Sequence, residues 1–124
     1  MLDGLLSEPA TKYDIELAEA GLRFALPADY KNFLRIHNGG EGFLMENYLI
    51  LWRVEELVSF NKEYEVAEYA PGVVLFGSSG GGEGYGWDTS QASMPVVRIP
   101  FIGMSRDFII SVADTFSNLV GAAP

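Results

Sequence analysis

Apolar residues fall along this chain at two spacings, and each spacing predicts its own kind of element. The clearest run is Leu26, Tyr30, Phe33, Leu34 and His37, whose intervals place all five on one face of a 3.6-residue repeat. Pro27 suits the first turn of that helix, because proline there needs no hydrogen-bond donor and already has a helical φ. Asn38-Gly39-Gly40 predicts the stop, since both residue types tolerate the left-handed conformation of a helix C-terminus. Earlier, Thr11 can cap a helix with Asp14 in its first turn, and Ile15, Ala18 and Leu22 share a stripe, so a first helix is expected over residues 12–22. Val54, Leu57 and Val58 predict a short third helix ending near Asn61, and residues 63–70 carry no firm period. Near the end, Ser111 with Asp114 resembles a capping pair. Val112, Ala113, Phe116, Leu119 and Val120 then predict a closing helix before Gly121.

Between the helices the spacing changes to that of strands. Residues 42–45 and 47–52 read as a hairpin turning near Glu46-Asn47, and Pro71-Gly72 punctuates the chain before the next strand. Val73-Val74-Leu75-Phe76 is a continuous apolar run with a β-branched start, which predicts a buried central strand. The glycine-rich residues 77–82 are expected to form a turn or loop. Residues 83–88 alternate, with Glu83, Tyr85 and Trp87 on one face and Gly84, Gly86 and Asp88 on the other, so that the two glycines leave the backbone bare. Residues 94–100 form a strand fenced by prolines, at an edge or as a short central piece. Helices do not alternate strictly with strands, which argues against a doubly wound parallel sheet. The expected fold is α+β, with a mixed or antiparallel sheet of about four to five strands, N-terminal helices and a C-terminal helix packed on it.

A chain of 124 residues with 48% hydrophobic and 20% charged residues has the length and composition of one globular domain. It contains no cysteine, which removes disulfides, thiolate metal sites and thiol nucleophiles and suits a reducing compartment. The start, Met1-Leu2-Asp3-Gly4-Leu5-Leu6, lacks a basic segment and a long apolar stretch, so the expected location is cytoplasmic. The formal charge of −9 makes nucleic acid and anionic membranes unfavourable partners; solubility is the plain reading of it, and attraction to a basic protein the sharper one. Glu55, Glu56, Glu63, Glu65 and Glu68, opposed only by Lys62, are the densest source of that charge.

Candidate chemistry is sparse. The glycines of residues 77–86 could approach an anion, but no Lys-Ser or Lys-Thr follows them and a strand takes the place of the helix that a dinucleotide fingerprint opens. His37 is the only histidine and sits on an apolar stripe at a helix end, where capping a carbonyl is the simpler role. A zinc site would need an all-carboxylate set, which zinc seldom uses. Glu83 and Asp88 face opposite ways on one strand and cannot easily flank one bond. Ser78, Ser79 and Ser105 have no neighbouring base. No enzymatic activity, cofactor or metal is expected. Glu83 with Tyr85 and Trp87 joins an acid to two aromatics, a grouping that suits an interface hot spot, while burial of the aromatics is the plain alternative. The expected partner-binding residues are therefore Gly81, Gly82, Glu83, Tyr85, Trp87 and Asp88, together with Glu55, Glu56, Glu63 and Glu65.

Leu26-Pro27-Ala28-Asp29-Tyr30-Lys31-Asn32-Phe33-Leu34, then Asn38-Gly39-Gly40, then Leu75-Phe76-Gly77 leading through Gly81-Gly82-Glu83 to Tyr85 and Asp88, and finally Ala113-Asp114-Thr115-Phe116, resemble the SUKH superfamily in its Smi/Knr branch. The likeness runs from about Thr11 to Val120, which puts a single SUKH-like domain over residues 1–124 with its core at 11–120. It implies an α+β fold and a non-catalytic role. Bacterial proteins of this kind commonly bind and neutralise toxins, often nucleases, and fungal relatives act as signalling scaffolds. The resemblance thus implies an immunity protein directed at a basic toxin, with a regulator or scaffold for endogenous proteins as the alternative.

Overall fold

The computed structural model describes residues 2–121 of the chain. Its strands form one sheet in which every neighbouring pair is antiparallel and the spatial order repeats the chain order. The elements are β1 (Gly4–Leu5), α1 (Lys12–Leu22), α2 (Ala28–Leu34), β2 (Gly40–Leu44), β3 (Asn47–Leu51), α3 (Leu57–Glu63), α4 (Val66–Tyr69), β4 (Val73–Ser78), β5 (Glu83–Asp88), β6 (Val96–Pro100), β7 (Ile110–Ala113) and α5 (Phe116–Val120). Short 3-10 turns precede α3 and β7.

The α+β class and antiparallel pairing agree with the sequence reading, but the described sheet has seven strands, more than the four to five expected. β1 is too short to show any period. β7 occupies residues that read as the start of the closing helix; here Ile110 pairs with Arg98 and Ser111 with Val97, so tertiary pairing overrides the helical spacing. The helix start moves to Thr115, whose Oγ1 accepts a hydrogen bond from the Asn118 N–H at 3.0 Å. Asp29 of α2 adds a second cap from afar, accepting from the Ser117 N–H at 2.9 Å.

Other boundaries shift for similar reasons. α1 keeps its expected limits and its Thr11 cap. α2 ends at Leu34, short of Asn38. His37 caps no helix carbonyl: its Nδ1–H donates to the Leu6 carbonyl at 2.8 Å and ties down the N-terminal segment. Asn38, buried, accepts from the Val54 N–H at 2.9 Å and donates to Glu55 at 2.7 Å, so it organises the turn before α3. Gly39 follows at φ +97°, and a Cβ there would lie 2.7 Å from the Leu51 carbonyl oxygen. The expected glycine loop begins later than residue 77, because Gly77 and Ser78 belong to β4.

A β-bulge at Phe76 lies within the core strand β4. Leu75 pairs with Gly86 and Gly77 with Tyr85, leaving Phe76 as the extra residue between them. Phe76 joins Trp87, at ring centroids 4.8 Å apart, on the sheet face where Tyr30 of α2 and Phe116 of α5 pack. Tyr30 meets Trp87 and Phe116 edge-on at 4.9 and 4.8 Å. The opposite face is covered in part by α3, whose Asn61 donates to the Leu75 carbonyl and accepts from the Leu75 N–H. On that side Gly84 is not bare: a Cβ would come within 2.8 Å of Leu75 and 3.0 Å of Phe101.

One ion pair, between a buried carboxylate and a partly exposed arginine, closes the edge of this core. Asp88 is 1% exposed and takes two hydrogen bonds from Arg106, at 3.2 and 2.8 Å, plus others from Ser90 and Gln91. Arg106 also donates to the Pro71 carbonyl at 2.8 Å, so the pair joins three loops. The Arg106 hydrogen bonds, against the opposing effect of burial, hold the Asp88 carboxyl well below the usual carboxylate range.

Two predictions follow from the core. The Tyr30 hydroxyl is buried with no hydrogen-bond partner, and burial pushes its phenol far above the ordinary value. Tyr30→Phe should therefore raise the unfolding free energy by about 1 kcal/mol in urea titrations, and a loss of stability would show that the hydroxyl is satisfied. Asp88→Ala should cost about 2 kcal/mol at neutral pH, because it removes a buried carboxylate that Arg106, Ser90 and Gln91 hydrogen-bond. Since the folded pKa of Asp88 is depressed, its contribution is complete above about pH 4 and fades as pH falls toward the folded value. The variant should accordingly lose less stability than the parent on acidification below about pH 4, measured by the same titrations across a pH series.

Candidate functional surface

The register of β5 confirms that Glu83, Tyr85 and Trp87 share one face, yet it does not make them an exposed group. Trp87 is 1% exposed in the aromatic core and Asp88 is enclosed by Arg106, so neither can meet a partner; the expectation that both lie at an interface is corrected. The physical cause is that helices α2 and α5 cover this end of the face. Tyr85 is 5% exposed at the floor of a groove, and Glu83, half-exposed, contacts Arg98 at 3.0 Å. Gly81 and Gly82 are exposed, in a loop ordered by Ser79, whose Oγ accepts from the N–H groups of Gly81 at 3.0 Å and Glu83 at 3.2 Å.

The acidic residues of the α3–α4 segment lie elsewhere. Asn61 anchors α3 to the backbone of Leu75, on the sheet face opposite Tyr85, and Glu63 then projects from the helix end. Glu65 adopts φ +55°, a left-handed conformation costing about 1 kcal/mol for a residue with a Cβ. That turn directs Val66 and Ala70 inward and leaves Glu63, Tyr64, Glu65, Glu68 and Tyr69 outward. Tyr64 stacks on Phe101 at 4.0 Å and lies 6.3 Å from Trp52, which holds its ring in place at the surface. Glu55 is exposed but accepts from Asn38, and Glu56 accepts from the Arg53 N–H at 2.9 Å, so these two acids also serve the local fold.

A shallow groove of about 410 Å³ adjoins this ridge on the same sheet face, lined among others by Glu41, Ile50, Trp52, Glu56 and Phe60. Tyr48 at its side donates its hydroxyl hydrogen to Glu41, which raises the phenol pKa above the ordinary value. The site thus presents carboxylates around rigid aromatic rings. Sequence reasoning singled out Glu63 and Glu65 but missed Tyr64 and Tyr69. The signal was present in Glu63-Tyr64-Glu65 and Glu68-Tyr69, where acids and aromatics adjoin in a segment without a clear period.

Most of the polar residues weighed for catalysis make contacts within the fold. Glu83 and Asp88 engage different arginines. Ser79 orders its loop, and Ser105 caps a 3-10 turn by accepting from the Asp107 N–H at 3.2 Å. Ser78 is buried in β4. Among the described residues, no helix is long and apolar enough to cross a membrane.

Comparison with curated proteins gives no match. A family model does match, and it covers residues 9–121, which include every element from α1 to α5 and both surfaces just described. The chain belongs to the SMI1 / KNR4 family (SUKH-1).

Proposed function

We propose that the chain is a non-catalytic protein-binding domain, an immunity protein that docks a basic toxin on the α3–α4 ridge. The observation that carries this reading is the exposure of Glu63, Glu65 and Glu68 around Tyr64 and Tyr69, with only Lys62 of opposite charge nearby in sequence. Aromatic rings anchor interfaces because they bury a large area at low entropic cost, and surrounding carboxylates select and steer a cationic partner. Membership of the family supports a role of the immunity or Smi1/Knr4 type. The acidic balance of the whole chain disfavours nucleic acid as the bound species. In this reading the protein acts in the cytoplasm by covering the active surface of the toxin, and Gly81, Gly82 and Glu83 lie outside the primary contact.

The test is co-expression with the protein encoded beside this chain. Rescue from its toxicity, with a stable complex in a pulldown, is the expected outcome; absence of both, together with a growth defect on deletion in monoculture, would favour a regulator of endogenous proteins. Replacing Glu63 and Glu65 together by lysine should slow association about tenfold while changing dissociation less, as read by surface plasmon resonance.

A further inference from the structure

The other sheet face carries a second feature that the ridge does not use. Beyond the cover of α2 and α5, a groove of about 550 Å³ crosses the sheet, floored by Leu49, Tyr85 and Arg98. One wall is the β2–β3 hairpin and the other includes Val112 and Leu119. Its lining is largely apolar, and the charge at its floor is the Arg98 guanidinium. The Arg98 Nε is buried and stands 3.0 Å from a Glu83 oxygen without an aligned hydrogen bond. Among the described residues no other side-chain hydrogen bond engages Arg98, so its remaining donors are free to take a carboxylate.

The rim of the same groove displays the complementary groups. Met45, at the hairpin turn, is 96% exposed and held at φ +56°, a conformation that residues with a Cβ seldom adopt. Glu46 is exposed at the tip and, among the described residues, forms no ion pair. An apolar side chain would fill the groove, and a following carboxylate would take the Arg98 donors that Glu83 leaves open.

We infer that the occupant is the hairpin tip of a second copy of this chain, in an isologous dimer where each Met45 enters the partner copy's groove and each Glu46 meets the partner copy's Arg98. Because donor rim and acceptor groove adjoin, one two-fold axis makes both contacts at once. Charge distribution favours this face. Each copy carries a formal −9, but the dense acidic ridge lies across the sheet, and the Glu83–Arg98 contact at the groove is neutral. Dimerisation leaves the ridge open, so this inference is independent of the toxin-binding reading.

Sedimentation equilibrium of the full chain, from about 1 μM to about 1 mM, a span that covers weak interfaces, provides the test. The parent should show a concentration-dependent dimer, and Met45→Asp should remain monomeric. Glu46→Lys and Arg98→Glu should each weaken dimerisation at least tenfold, because each homodimer then sets like charges together. An equimolar mixture of these two variants should recover the dimer, since every contact in the mixed pair again joins opposite charges. A parent that stays monomeric, a dimer indifferent to Met45→Asp, or a mixture of folded variants that fails to recover would overturn the inference. Thermal melts establish folding of each variant; if Arg98→Glu does not fold, Met45→Asp decides the matter, because that side chain has no packing to lose.

Discussion

The contact of Tyr30 and Phe116 with Phe76 and Trp87 is the interaction on which the arrangement of the molecule rests. Val74 pairs with Trp87 and sets the face of Phe76 two residues on, and a bulge then leaves Phe76 unpaired between two residues of the ladder. Strand alternation thus already puts Phe76 on the Trp87 face, and the extra residue shifts the register so that Gly77 pairs with Tyr85 on that face as well. Because the four rings come from α2, β4, β5 and α5, their packing joins segments far apart in the chain. Such a cluster is non-local, and forming it requires the sheet to be largely in register.

From that platform the two faces of the sheet diverge in character. One is filled by aromatic packing at the Trp87 end and opens into an apolar groove at the Tyr85 end. The other takes α3, and with it the carboxylates and tyrosines that extend to α4. The strand period of two explains why Glu83 is separated from the remaining acids: it shares the face of Tyr85, whereas α3 docks on the face of Leu75. A surface that looks continuous in composition is therefore divided by the thickness of a sheet.

Polar residues hold the connections in place. Asn38 satisfies backbone and side-chain groups at the turn into α3, and Asp88 with Arg106 fastens three loops at the far end of β5. Both are buried and fully engaged, and each makes hydrogen bonds that water would otherwise supply. Residues of this kind are easily mistaken for functional groups, since a charged side chain in a glycine-rich context suggests a site until its partner is known.

How much of this was legible beforehand follows from the range of the forces involved. Local interactions determined α1 with its Thr11 cap, the Gly121 stop of α5, and the alternation of β5, because each depends on neighbours within a few residues. Composition and order of elements were enough for the α+β class. By contrast, β7 reads as helix by its spacing and became strand only because β6 supplied a partner, and Trp87 became core only because α2 lies over it. The position of the ridge was likewise beyond the sequence, since Tyr64 is held by Phe101, whose place is determined by β6. Hydrogen-bond periodicity is written along the chain, whereas the choice of which side of a sheet a helix covers is made between distant segments, and only the folded arrangement records it.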